Sequence, residues 1–165
     1  MNIAPLQLEQ LFLGKLSITP HRGHLAGPGT LKVDVGSQFQ RDADPSLWTV
    51  QITAKFGSGN DQPIGYEGEI EMMGRFRVIA KNLKEEEHRK LVAVNALSIL
   101  YSSARETVAM LTSHGQFGKM LLPSVSFADQ HLFGPGEQPP TDQTASPEPA
   151  KAQSHERARA KTAKS

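Results

Sequence analysis

The side chains able to do chemistry are scattered along this chain rather than gathered. His21-Arg22-Gly23-His24 sets two imidazoles three residues apart, a spacing that can seat a metal ion. They sit in a glycine-rich connection ending Gly27-Pro28-Gly29, with no carboxylate close in sequence to complete a ligand set, so a solvated turn is the better reading. Gly27-Pro28-Gly29-Thr30 lacks the lysine and the spacing of a phosphate-binding loop. Glu67, Glu69 and Glu71 fall at alternate positions and would line one strand face, as paired catalytic carboxylates can. Arg75 and Arg77 continue the same row, however, and a wet sheet face explains all five without chemistry. No nucleophile motif of the Gly-x-Ser-x-Gly kind occurs. The chain has no cysteine, which removes disulfides, thiolate catalysis and the commoner structural zinc sites. No enzyme, metal or cofactor is expected.

The elements that would carry these residues read as a sheet followed by a helix. Trp48, Val50, Ile52, Ala54 and Phe56 alternate with Thr49, Gln51, Thr53 and Lys55, the period of a strand with one buried face. Ile64, Tyr66, Ile70, Met72, Phe76 and Val78 repeat the pattern, and Gly57-Ser58-Gly59-Asn60-Asp61 between the two segments suits a hairpin loop. Leu31, Val33 and Val35 begin a shorter strand. Near the start, Leu6, Leu8, Phe12, Leu16 and Ile18 share a parity, whereas Leu11 and Leu13 put apolar groups on the face that should be wet. Short connections favour an antiparallel sheet with one solvated face.

The period then changes. Asn82 and Glu85 have the spacing of a reciprocal helix cap, and Glu85, Glu86 and Glu87 suit the positive end of the helix dipole. Leu91, Val94, Leu97, Tyr101, Ala104, Val108 and Leu111 trace one stripe, widened by Val92, Ile99 and Leu100, and His114-Gly115 should end it. Such a helix of roughly 30 residues runs about 45 Å. Strands of ordinary length span roughly 17–20 Å, so the helix outgrows its sheet and its stripe is expected to meet another subunit.

Composition divides the chain after Phe133. Residues 134–165 hold five of the eleven prolines and, among the hydrophobic types, only alanine, so they form a tail expected to be disordered beside a domain at 1–133. Over the whole chain 18 basic residues face 17 acidic ones, a balance that argues against a nucleic-acid coat as the default. The tail alone is polarised, with Lys151, Arg157, Arg159, Lys161 and Lys164 opposed only by Glu156 beyond residue 150. Solubility is its first reading, contact with an acidic partner its second, nucleic acid its third. No apolar run is long enough to span a bilayer, and Met1–Pro5 lacks the charged and apolar regions of a secretory signal, so a cytoplasmic location is expected.

Three stretches in order carry a resemblance: Tyr101-Ser102-Ser103-Ala104-Arg105-Glu106, then Gly115-Gln116-Phe117, then Leu122-Pro123-Ser124-Val125-Ser126-Phe127. Together with Glu69-Ile70-Glu71 and Gly74-Arg75-Phe76 upstream, they resemble the SecB family of export chaperones over about residues 5–133. The resemblance implies an α+β fold: a four-stranded antiparallel sheet with a long helix and a short second helix on one face. Subunits would pair through strand edges and helices into a homotetramer, a dimer of dimers. It implies a nucleotide-independent holder of unfolded or pre-export polypeptides, in apolar grooves, that can pass them to the ATPase SecA. The family presents acids to SecA at the end of its first strand. Lys15-Leu16-Ser17-Ile18-Thr19 has none, so docking would rest on Glu69 alone.

A holder of many sequences needs adaptable apolar surface, which methionine supplies. Met72, Met73, Met110 and Met120, with Phe117, Leu122, Val125, Phe127 and Phe133, are the candidate client-binding residues, against filling of the core as the alternative. Leu91, Val94, Leu97, Tyr101, Ala104, Val108 and Leu111 are the candidate oligomer interface. Competing functions are a dedicated chaperone for one client, such as the antitoxin of a toxin–antitoxin pair, and a scaffold domain binding a folded partner. A small-molecule carrier would need an enclosed pocket.

Overall fold

A computed structural model describes residues 4–22, 29–59, 62–80 and 82–128. The expected tail at 134–165, together with Phe133 and His24, lies outside them. Four strands precede one helix: β1 Leu6–Pro20, β2 Leu31–Arg41, β3 Leu47–Ser58, β4 Tyr66–Val78 and α1 Glu85–Thr112. The sheet order is β1-β4-β3-β2, antiparallel throughout, so β1 and β2 are its two edges. Among the described residues α1 is the only helix, and the short second helix implied by the resemblance is not among them.

The period-two pattern of β3 and β4 becomes the core. Val50, Ile52, Ala54, Ile70 and Phe76 are fully buried beneath α1, each of the four larger side chains contributing about 1.5–3 kcal/mol. From the helix, Val92, Ala93, Ala96, Leu97, Leu100, Tyr101, Ala104 and Val108 close over them. Three alanines and Gly74 let the backbones approach: a Cβ on Gly74 would lie 3.0 Å from Leu100 Cδ2 and 2.6 Å from the Phe76 ring. The opposite face of the sheet is covered by nothing among the described residues. Lys15 donates to Glu69 there at 2.6 Å and Arg75 to Asp42 at 2.8 Å, so the row of glutamates is a solvated ionic surface.

Three expectations need correction. The strands are longer than ordinary: β1 has 15 residues, about 50 Å at ~3.3 Å each, against about 42 Å for the 28 residues of α1. The helix does not outgrow its sheet, which removes length as a reason for a second subunit. Leu97, Tyr101, Ala104 and Val108, expected at a subunit interface, are buried in their own core and have no surface left to offer, whereas Leu91 and Val94 are half-buried and Leu111 is exposed. The helix cap lies two residues later than the Asn82–Glu85 reading. Asn82 takes a left-handed conformation (φ 64°) in the turn out of β4, and Glu87 accepts the Lys84 backbone N–H at 3.0 Å.

Candidate functional site

The register of β1 decides what this edge presents. Residues opposite one another in an antiparallel pair point to the same face, and β4 offers its even-numbered residues to the helix. Leu6 and Leu8 pair with Val78 and Phe76, but Leu11 and Leu13 pair with Gly74 and Met72, and Leu16 with Ile70. Bulges at Glu9 and Gly14 each insert one residue and flip the parity. Leu11 and Leu13 therefore face the helix side like Leu8, Leu16 and Ile18, and it is Phe12, opposite Met73, that stands on the wet face. The parity reading of this strand was wrong for these three residues, because an unseen bulge inverts every assignment after it.

Although β1 carries its apolar set toward the helix side, α1 lies mainly over β3 and β4. Leu8 stays 38% exposed, Leu11 43%, Phe12 50% and Leu13 51%. Toward the end of α1 the strip deepens into an open trough of about 570 Å³ lined by Leu16, Ile18, Pro20, Tyr66, Leu111 and Gln116. A second hollow of about 490 Å³, with His21, Arg22 and Phe117 in its wall, shares Pro20 and Gln116 with it. On the other flank of α1, Met110, Ala109, Lys119 and Leu121 border a depression of about 460 Å³.

The floor at the end of α1 is held by polar contacts. Tyr66 Oη donates to the Thr112 carbonyl at 3.4 Å and accepts the Phe117 N–H at 3.1 Å, with its ring edge-on to Phe117 at 5.7 Å. The Thr112 hydroxyl donates back to Val108 O at 2.8 Å and accepts the Met120 N–H at 2.8 Å. Gly115 is required here, since a Cβ would lie 2.1 Å from the Tyr66 oxygen. The chain then returns along α1. Tyr101 Oη donates to Pro123 O at 2.8 Å, Arg105 Nε to Leu122 O at 2.8 Å, and Phe127 meets the Tyr101 ring edge-on at 5.8 Å. Burial pushes the Tyr101 hydroxyl above the usual phenol range, so it stays a neutral donor. The three spaced motifs of the sequence are one clamp that fixes the returning segment.

Among the candidate client-binding residues, Met72, Leu122 and Phe127 are buried in the core and present no surface. Met73 lies on the wet sheet face beside Phe12, away from the trough. Met110 and Val125 are exposed, Phe117 and Met120 half-buried, and Phe133 lies outside the described residues. Sequence reading missed Leu11, Leu13, Leu16, Ile18, Pro20, Tyr66, Leu111 and Gln116 as trough or strip residues; the two off-parity leucines were the visible signal. Glu69 is engaged by Lys15, whose ammonium holds its carboxyl below the usual range. Among the described residues no cluster of three metal-ligating side chains occurs, and no helix is long and apolar enough to cross a membrane.

This geometry has counterparts among known proteins. A Mycobacterium tuberculosis structure, the Rv1957 SecB-like chaperone in complex with a ChAD peptide from the Rv1956 HigA1 antitoxin, is similar with a TM-score of 0.53 and 23% identity, covering 74% of this chain and 91% of that one. A Streptococcus agalactiae protein of unknown function is more distant, with a TM-score of 0.40 and 16% identity over 72% of this chain and 97% of that one. No curated protein matches in sequence. The model of the family described as preprotein translocase subunit SecB matches residues 4–134. With a sheet, helix and clamp built from the residues that carry that match, the chain belongs to the SecB family.

Proposed function

We propose that this chain is a holdase that works without ATP, gripping unfolded segments along the β1 strip and in the trough beside the end of α1. Membership of the SecB family makes it a chaperone. The observation that carries the finer reading is the open apolar lining of Leu16, Ile18, Pro20, Tyr66 and Leu111, continuous by register with exposed Leu8, Leu11 and Leu13. A surface of this kind suits an extended chain rather than an enclosed small molecule. It binds the unfolded state of a client and so acts by mass action, needing no bond change. The working form is a homotetramer in which copies cover what each leaves open.

At stoichiometric concentration the protein is expected to slow aggregation of several unrelated denatured proteins in the absence of ATP. Failure with all of them overturns the holdase reading.

A second reading, a chaperone dedicated to one client, is favoured by the Lys15–Glu69 ion pair. It neutralises Glu69, the β4 acid that would dock SecA, while the end of β1 beside it has no carboxylate. The antitoxin peptide bound by the mycobacterial protein points the same way. Suppression of a single client would select this reading. Binding of the SecA zinc-binding tail is expected to be weak and to strengthen in Lys15→Asp and Thr19→Glu; tight binding by the unmodified protein returns the chain to general export.

A further inference from the structure

The turn that follows β1, read from sequence as solvated, is held in place from several sides. His21 donates its backbone N–H to Gly65 O at 2.9 Å, and its carbonyl accepts from Gln116 Nε2 at 3.3 Å. Phe117 packs so closely on Gly65 that a Cβ there would lie 2.7 Å from that of the phenylalanine. Pro20 and Gln116, common to both hollows, form the partition between two linings of different character. On one side stand Leu16, Ile18, Tyr66 and Leu111; on the other stand Thr19, His21, Arg22 and Phe117. No carboxylate lines either hollow. Glu67, opposite Thr19 in the ladder, borders a separate small cleft with His21 and Ile64. Arg41, Arg75, Arg77 and Arg89 each have a carboxylate partner and Arg105 a carbonyl. Arg22 is exposed and has neither among the described residues.

We propose that the segment this site selects in a client carries a bulky apolar side chain and, a few residues along, a carboxylate: the apolar group seats in the trough and the carboxylate on Arg22. This selectivity rests on the holdase reading and adds to it the class of client. From Ile18 to Arg22 the chain advances four positions, about 13 Å at ~3.3 Å each. An extended client covers that distance with about four residues, or fewer where its side chains reach. The guanidinium is a planar fork of donors that matches a carboxylate. Gln116 keeps a second amide N–H beyond the one it gives to His21, and this can donate to the same group. A basic client residue would meet Arg22 with no acid in the lining to receive it, so the site selects by repulsion as well as by attraction. Net charge does not produce this preference, because 18 basic residues face 17 acidic ones over the chain.

Fluorescein-labelled peptides of glycine and serine test this when each carries one phenylalanine–leucine pair followed, three residues on, by glutamate, glutamine or lysine. Fluorescence anisotropy with the full chain is expected to give affinities falling in that order. The glutamate peptide should bind roughly two- to five-fold more tightly than the glutamine one, the range for an exposed charge pair. The advantage should shrink in 1 M salt, where charges are screened beyond about 3 Å. Arg22→Gln should abolish the difference between glutamate and glutamine, and Arg22→Glu should make the lysine peptide the tightest. Lys90→Gln removes an exposed cation near the start of α1 instead and should keep the original order. Replacing the phenylalanine–leucine pair by two serines should abolish binding of all three peptides. Equal affinity for the glutamate and glutamine peptides, or a preference that survives Arg22→Gln, overturns the selectivity and leaves the holdase reading standing. Undiminished binding of the all-serine glutamate peptide overturns the joint use of the two hollows. Binding of none of the three peptides overturns the selectivity, and if aggregation of denatured proteins is not suppressed either, the holdase reading falls with it. Circular dichroism of each variant shows that the fold is kept.

Discussion

Met72 and Leu13 sit opposite each other on one rung of the same ladder and point the same way, yet Met72 is 4% exposed and Leu13 51%. Phe76 and Leu8 repeat the contrast one bulge away, with Phe76 wholly buried. Both halves of the face are equally apolar. They differ only in whether α1 lies above them. A sheet that paired a fourth strand solely to enlarge its own core would have moved the helix over it. Leaving β1 uncovered gives up burial that folding would otherwise gain, and keeps apolar surface on a rigid platform where a partner can use it.

The contrast is broken most severely from the covered side. Phe76→Ala is expected to lower stability by about 3–5 kcal/mol, the range for removing a buried aromatic ring, read as a fall in the urea midpoint. Leu8→Ala, its partner across the rung, should cost less than about 1 kcal/mol in a protein diluted to monomer, since over a third of that side chain is already wet. Equal losses at the two positions would show that β1 is covered within the single chain.

How much of this was legible in the sequence follows the same division. β3 and β4 could be read because no bulge interrupts Trp48 to Phe56 or Tyr66 to Val78, so parity and burial agree along their length. β1 could not, because Glu9 and Gly14 each add a residue, and nothing local marks Glu9 as a bulge. The long helix was visible in its stripe, but not which part of that stripe meets the sheet. Val92 and Leu100, read as widening, are fully buried, whereas Leu111 in the main stripe is exposed. The motif from Tyr101 to Phe127 identified the family without revealing that its members touch one another. Residue type chose Met72 and Leu122 for a surface role; only packing assigns them to the core.

A smaller effect should come from acid, at the other end of the helix. Arg41 from β2 donates to Glu85 at 2.8 Å, lies 5.2 Å from the centre of the Trp48 ring and reaches His88, while Arg89 donates to the same Glu85 at 3.1 Å. Burial, then the Arg41 charge, holds His88 below the usual imidazole value, with Glu85 pulling weakly the other way. Burial also pushes Glu85 up, and Arg89 and Arg41 more than offset it, so its carboxyl is held low. Both signs agree. The unfolded chain takes up protons before the folded one, so stability is full at neutral pH. It declines as pH falls below the ordinary His value of about 6.5, and again below the ordinary Glu value of about 4.3. Trp48, the only tryptophan, packs edge-on to His88 at 6.0 Å and reports the first step by its emission. If this latch keeps α1 on the covered half, an apolar dye should gain binding over the same range. His88→Gln is expected to remove the upper step, and an unchanged profile in that variant counts against the latch.

The smallest effect tests the wet face, where the contrast between halves should vanish. Lys15 on β1 and Glu69 on β4 bridge the covered and uncovered strands through an exposed ion pair, and such pairs are largely screened by water and salt. Lys15→Ala is expected to leave the melting temperature unmoved. It should nevertheless raise the Glu69 titration midpoint toward the usual carboxylate range, because the Lys15 hydrogen bond is the main cause of its depression and its charge adds to it. Carboxyl chemical shifts followed through acid pH would read this directly. A marked loss of melting temperature would mean that β1 depends on this pair for its place in the sheet, and that the rungs between Leu6 and Pro20 are weaker than their register implies.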